Sequence, residues 1–249
     1  MRRLITRALC IAFFVALAVP VRADVLTGGA DVTSITATLY SGGTSFGSCY
    51  VSPIRGANVT TGENDLILFC GDAAVPVSGA FKGAGQPYGA YSMGSAAVNA
   101  IYTDTQQTQI GNLFGHAFST AYNTDGSISN ALYAQAIQLA VWEILFETSG
   151  IYDIANNSFY AVGNSGLTNE LKETANALLG AVVSENWDNV YGLDLSATSA
   201  YKLTVFIAEG GNHVSQTLIQ VASVPEPATL AVLGLGLAGL GLVRTRRRK

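Results

Sequence analysis

Asn130-Ala-Leu-Tyr-Ala-Gln-Ala-Ile-Gln-Leu-Ala-Val-Trp-Glu-Ile-Leu-Phe-Glu147 is the stretch on which the fold turns. Between Ala131 and Phe146 the polar residues are Gln135, Gln138 and Glu143. A helix apolar on nearly every side is buried on most of them. At roughly 100° per residue, Gln135 and Glu143 fall on one side, and Gln138 falls among Ala131, Ala134, Trp142 and Leu145. A carboxamide in such a setting must be hydrogen-bonded or chemically used.

Outward from this helix, Asn123-Thr-Asp-Gly126 breaks the chain before it and Thr148-Ser-Gly150 stops it. Upstream, Ala96, Ala97, Ala100 and Ile101 form one helical stripe, and Ile110, Leu113, Phe114 and Ala117 form another. Downstream, a polar loop is expected from Asp153 to Gly166, then a helix from Thr168 to Ser184 with Thr168 as N-cap. Strands are expected over Thr33–Tyr40 and Asp65–Cys70, with short strands and turns from Pro76 to Met93. Tyr201–Ile207 and Val214–Val221 read as a hairpin turning at Gly210-Gly211-Asn212. The fold class is therefore α+β: an antiparallel framework of N- and C-terminal strands around a central helical insertion.

Both ends of the 249-residue chain stand apart from this domain. Residues 1–23 read as a signal peptide: Arg2, Arg3 and Arg7, an apolar run from Ala8 to Val19, then the small-residue site Val21-Arg22-Ala23. Residues 24–224 form the exported domain, and 225–249 a tail with an apolar run, Ala228 to Val243, ahead of a basic end. The exported part has one Arg and three Lys against sixteen Asp and Glu, a net charge of −12. Such a surface repels phosphate backbones, so nucleic acid is not an expected partner. No metal-ligand motif occurs and no cofactor is expected. Cys10 leaves with the signal peptide, and the exported Cys49 and Cys70 enter a compartment that permits a Cys49–Cys70 disulfide.

Gly43-Thr-Ser45-Phe-Gly47 matches the G-x-S-x-G pattern of a hydrolase nucleophile elbow. That device needs a helix directly after the serine, and Cys49-Tyr-Val-Ser-Pro53 does not read as one. A secreted serine hydrolase is thus a remote reading, and His116, an isolated histidine, reads as structural.

Val224-Pro225-Glu226-Pro227, the apolar run and the terminal Arg244, Arg246, Arg247, Arg248 and Lys249 together resemble the PEP-CTERM sorting signal of Gram-negative bacteria. The resemblance implies that Pro225, Glu226 and Pro227 are recognised by an exosortase, an integral membrane processing enzyme. It also implies export through the inner membrane, transient anchoring through residues 228–243, and delivery to the cell surface or outside, in bacteria that typically make exopolysaccharide. The apolar run is shorter than the ~20 residues that span a bilayer comfortably, which suits temporary anchoring. Its arginines would stay cytoplasmic.

Phe69-Cys70-Gly71-Asp72 and Gln138-Leu-Ala-Val-Trp142 resemble the two halves of a thioester domain of bacterial surface adhesins. The resemblance implies a thioester crosslink between Cys70 and Gln138, in a pocket to which Phe69, Asp72 and Trp142 belong, Trp142 as its lid. Gly71 departs from the family, which usually places a bulky apolar residue there. The expected function is adhesion or biofilm and matrix building towards a surface or matrix ligand, not enzymatic turnover. The competing expectation is a purely structural matrix protein held by the disulfide.

Overall fold

The computed structural model describes residues 23–31, 35–75, 81, 85–209 and 215–224. The expected signal peptide, the Gly210–Asn212 turn and the sorting tail with its apolar run lie outside the described residues. Among those described, no helix is long and apolar enough to cross a membrane.

Helices and antiparallel sheets are both present, as expected, but the strands form two bodies. β1 (Asp24–Ala30), β4 (Ile54–Asn58), β5 (Glu63–Cys70), β6 (Gln86–Ser92), β8 (Tyr201–Ala208) and β9 (Leu218–Ser223) close into a barrel in the order β1-β4-β5-β9-β8-β6. β2 (Thr36–Ser41) lies between β3 (Thr44–Tyr50) and β7 (Phe159–Ser165) in a separate sheet. Every pairing is antiparallel. Closure removes the open edges that a flat framework would expose.

β7 corrects the polar loop expected over Asp153–Gly166. The polar Asn156, Asn157 and Ser158 before it mask a short alternation: Phe159 and Ala161 are buried, and Tyr160 and Val162 face outward. In the same sheet Ala37 and Leu39 of β2 are fully buried, whereas Thr36, Thr38 and Tyr40 point the other way. The register sets Tyr40 beside Tyr160 and Ser45, Thr38 beside Val162 and Ser48, and Thr36 beside Tyr50. The Tyr40 and Tyr160 rings stack at 4.8 Å.

The helices are α1 (Ala96–Asn99), α2 (Asp104–Ala121), α3 (Ala131–Phe146) and α4 (Asn169–Ser184). Asn130 to Glu147 form α3 with its two caps, packed against α2, α4, β5 and β7. Its residues from Tyr133 to Ile144 are all buried, as its composition requires. The Asn130 side chain caps it by accepting from the Leu132 and Tyr133 amides, and Thr168 caps α4 through the Leu171 amide. The far end of α3 is satisfied from another helix. Gln106 Oε1 accepts from the Thr103 amide in a capping box of α2, while its Nε2 donates to the Ile144 and Leu145 carbonyls at 3.2 and 3.1 Å. One carboxamide therefore serves both the start of α2 and the orphan carbonyls ending α3.

Arg55 joins the barrel to the α2–α3 connection. It makes a two-pronged ion pair with Asp31 and donates to the Gly126 carbonyl at 2.7 Å. Tyr122 donates to the same Asp31 carboxylate. Among the described residues this is the one ion pair, so α3 is held by packing and hydrogen bonds rather than by salt bridges.

Gln106→Ala is expected to lower unfolding stability by about 1–2 kcal/mol in denaturant titration, more than an ordinary cap loss, because two helix ends lose a partner together.

Candidate functional site

β5 delivers Cys70 to the barrel rim, two residues beyond Leu68, which pairs with Ile54 at the start of β4. On its other side β5 continues along β9: Cys70 stands opposite Leu218, and the Gly71 amide donates to the Thr217 carbonyl at 2.8 Å. β4 does not reach Cys70, and a side chain takes its place. The Cys70 amide donates to Gln138 Oε1 at 2.8 Å, and Gln138 Nε2 donates to the Cys70 carbonyl at 2.9 Å. Gln138 is completely buried, so its carboxamide acts as one residue of a missing strand. The structure thus brings together the two residues that the sequence singled out.

The Cys70 thiol is buried and held above the usual thiol range, first by desolvation and then by Cys49 and Asp72. At neutral pH it is protonated. Cys49 lies on β3 with its Sγ 3.7 Å from the Ala73 carbonyl, and burial raises its pKa too. Both cysteines are free thiols. Asp72, half-buried, accepts from the Ala74 amide at 2.9 Å. Two tyrosines that the sequence did not single out also feel the Cys70 thiol. Burial pushes Tyr88 up to about 12, against a 2.8 Å hydrogen bond with Ser215. Burial also raises Tyr102, whose hydroxyl donates to the Gly71 carbonyl at 3.0 Å. Tyr88 comes from β6 and Tyr102 from the connection between α1 and α2, so no local pattern announces that both reach Cys70.

Tyr102 accounts for Gly71. A Cβ at this position would lie 2.3 Å from the Tyr102 hydroxyl, so the phenol fills the space that a side chain here would need. Phe69 points to the opposite face from Cys70 by strand alternation. It is buried and packs edge-to-face on Phe114 of α2 at 4.9 Å, holding β5 to the helices. Trp142 is fully buried one turn after Gln138, and its indole N–H has no hydrogen-bond partner among the described residues.

Glu143 and Glu147 pin the loop between α3 and β7. Glu143 is completely buried and accepts from the Asp153 amide at 2.8 Å. Desolvation raises it to about 8, against that hydrogen bond and with help from Glu147 and Asp153. Burial would raise Glu147 as well, but hydrogen bonds from Ser158, Phe159 and Ser149 outweigh it and hold this carboxylate at about 2. One stays neutral and the other charged, one turn apart, each spent on loop amides rather than on a reacting group.

Ser45 does not sit in an elbow. It lies on β3 in a hairpin with β2, no helix follows, and its Oγ accepts from the Gly47 amide at 3.0 Å. His116 contacts the Leu195 carbonyl through Nδ1 at 2.7 Å and stacks on Trp187 at 4.3 Å. It is structural. The described residues contain no cluster of three or more His, Cys, Asp or Glu able to hold a metal ion.

Residues 223–248 match the family model of the PEP-CTERM protein-sorting motif. The chain carries an exosortase-sorting signal. The signal implies an exported, surface-sorted protein recognised by an exosortase at its C-terminus. Among curated proteins, no sequence matches the chain. Among solved structures, the N-terminal domain of the Streptococcus pyogenes pilus tip adhesin Cpa is similar at 15% identity and a TM-score of 0.42, covering 78% of this chain and 96% of that one.

Two outcomes check the site. Gly71→Ala is expected to destabilise by about 1–3 kcal/mol, and by less in a Tyr102→Phe background, in a double-mutant cycle of unfolding free energies. Glu143 ionises at about 8 when folded, against an ordinary value of 4.5, so its contribution to stability falls as pH rises through that window. Glu143→Gln should therefore flatten the stability profile between about pH 5 and 8, gaining on the parent towards the alkaline end.

Proposed function

We propose that this surface-sorted protein works in adhesion or matrix building, with an internal thioester between Cys70 and Gln138 as its reactive group. The observation that carries the reading is the two-point pairing of the Gln138 carboxamide with the Cys70 backbone, in a site closed to bulk water. The sulfur belongs to the residue whose amide already holds Gln138 Oε1. When sulfur attacks the carboxamide carbon, charge develops on that oxygen, and the Cys70 N–H is in place to stabilise it. The C–N bond breaks as the C–S bond forms. The nitrogen leaves as ammonia, carrying the thiol proton. A protonated thiol makes this step slow, which suits a bond made once during maturation rather than repeated turnover.

The thioester survives if water stays out. Trp142, one turn from Gln138, serves as the apolar cover, and Asp72 is the group available for proton transfer at the rim. A nucleophile on a partner surface then attacks the acyl carbon. It joins the partner to the Gln138 side chain and releases the Cys70 thiol. The anchoring run of residues 228–243 holds the chain to the membrane until an exosortase acts on the tail.

A second reading rests on Cys49, which raises the Cys70 thiol from the neighbouring sheet. Oxidation of the pair to a disulfide would give a structural matrix protein without covalent reactivity. The two fates exclude each other because each uses the one Cys70 sulfur.

Intact mass of the protein under non-reducing conditions separates them. The thioester predicts a deficit of one ammonia, lost in Cys70→Ala and Gln138→Ala and kept in Cys49→Ser, with methylamine adding its full mass. A deficit of two hydrogens, insensitive to methylamine and lost in Cys49→Ser, would establish the disulfide instead.

A further inference from the structure

β9 joins the two ends of the barrel. Its first residue, Leu218, stands opposite Cys70, and its last, Ser223, stands opposite Tyr201. A strand of this length covers about 17 Å, and strand tilt in a closed barrel shortens the axial span without reversing it. β5 runs beside β9 in the opposite sense, and Glu63 at its start accepts from Gln220 of β9 at 3.4 Å. The turn from β4 into β5, closed by the Gly62 amide on the Asn58 carbonyl, therefore shares an end with Ser223. Cys70 lies at the other end.

The fold continues one residue past β9, where the Val224 amide donates to the Ala200 carbonyl at 3.3 Å. Pro225-Glu226-Pro227 then leads straight into the apolar run that begins at Ala228. From Val224 to Ala228 a fully extended chain reaches at most about 14 Å. The headgroup layer, ~5–8 Å deep on each side of a bilayer, takes up about half of that reach. Turning the Cys70 end towards the bilayer would lift Val224 by the axial length of β9, and further by the loops beyond Leu218. The remaining connection is too short for that. Lipid affinity does not set the orientation, because the Ser223 end has exposed Glu63 and Asp65 beside Lys202 and so no basic patch for an anionic leaflet.

We propose that the barrel end bearing Val224 and the β4–β5 turn faces the lipid surface in the anchored chain, so that the Cys70 rim points away from the bilayer that holds it. This rests on anchoring through residues 228–243, as proposed above, and not on the thioester. A nucleophile reached in this state belongs to a second surface, and the amine headgroups of the anchoring bilayer are out of range.

Energy transfer to acceptor-labelled lipid in nanodiscs tests the orientation. The exported chain with its tail intact, made in a host without an exosortase, carries a short-range donor dye at either of two exposed positions, Asn64 beside the β4–β5 turn or Glu209 just past β8 at the Cys70 end. Transfer from position 64 is expected to exceed that from position 209 at least about twofold, given the strand length between the two ends. An insert of about twelve Gly and Ser residues between Val224 and Pro225, spanning ~20 Å on average, should bring the two positions to similar transfer. Equal or reversed transfer with the natural connection, or a difference that persists with the insert, would overturn the inference while leaving anchoring in place. A chain that does not enter nanodiscs at all would remove the anchoring reading and this orientation with it.

Discussion

The architecture depends on a backbone amide and carbonyl at the barrel rim that have no strand to pair with. β4 stops before it reaches Cys70, and unpaired peptide groups at a buried site cost free energy comparable to lost hydrogen bonds. Gln138 meets both from the middle of an otherwise apolar helix. The pairing fixes the rotation of α3, because turning the helix would strand a carboxamide among Leu139, Ala140 and Val141. It also fixes its height, because one donor and one acceptor must be met together. Cap contacts from Gln106 and Asn130 then hold the ends of a helix whose position is already set.

The same constraint bears on the proposed thioester. A thiol raised by burial is a poor free nucleophile, yet it sits on the residue that grips the carboxamide. In that proposal proximity supplies what acidity does not. The Tyr102 hydroxyl over Gly71 tightens the rim from one side. Glu143, neutral, and Glu147, charged, tie the end of α3 to the strand that returns to the outer sheet.

Much of this was legible in the sequence, and for physical reasons. α3 was readable because sixteen residues with three polar positions can only be a buried helix, and Asn130 and Thr168 were readable as caps. Gln138 stood out because an amide inside an apolar helix demands an account, and the resemblance to thioester domains joined Cys70 to it. Long-range closure was not readable. Nothing local shows that β1 pairs with both β4 and β6, or that Tyr88 and Tyr102 converge on Cys70. β7 was hidden by its polar flanks. Glu143 and Glu147 both pair with loops, and only the packed environment buries Glu143 fully and makes one of them neutral.

The direct measurement is the through-hydrogen-bond scalar coupling between the Cys70 amide nitrogen and the Gln138 side-chain carbonyl carbon, recorded by NMR with amide exchange rates alongside. A resolved coupling and a Cys70 amide among the slowest to exchange are predicted, with or without the thioester, because Gln138 keeps its oxygen in either state. A Cys70 amide that exchanges as fast as those of exposed loops, with no coupling to Gln138, would contradict the account at its base.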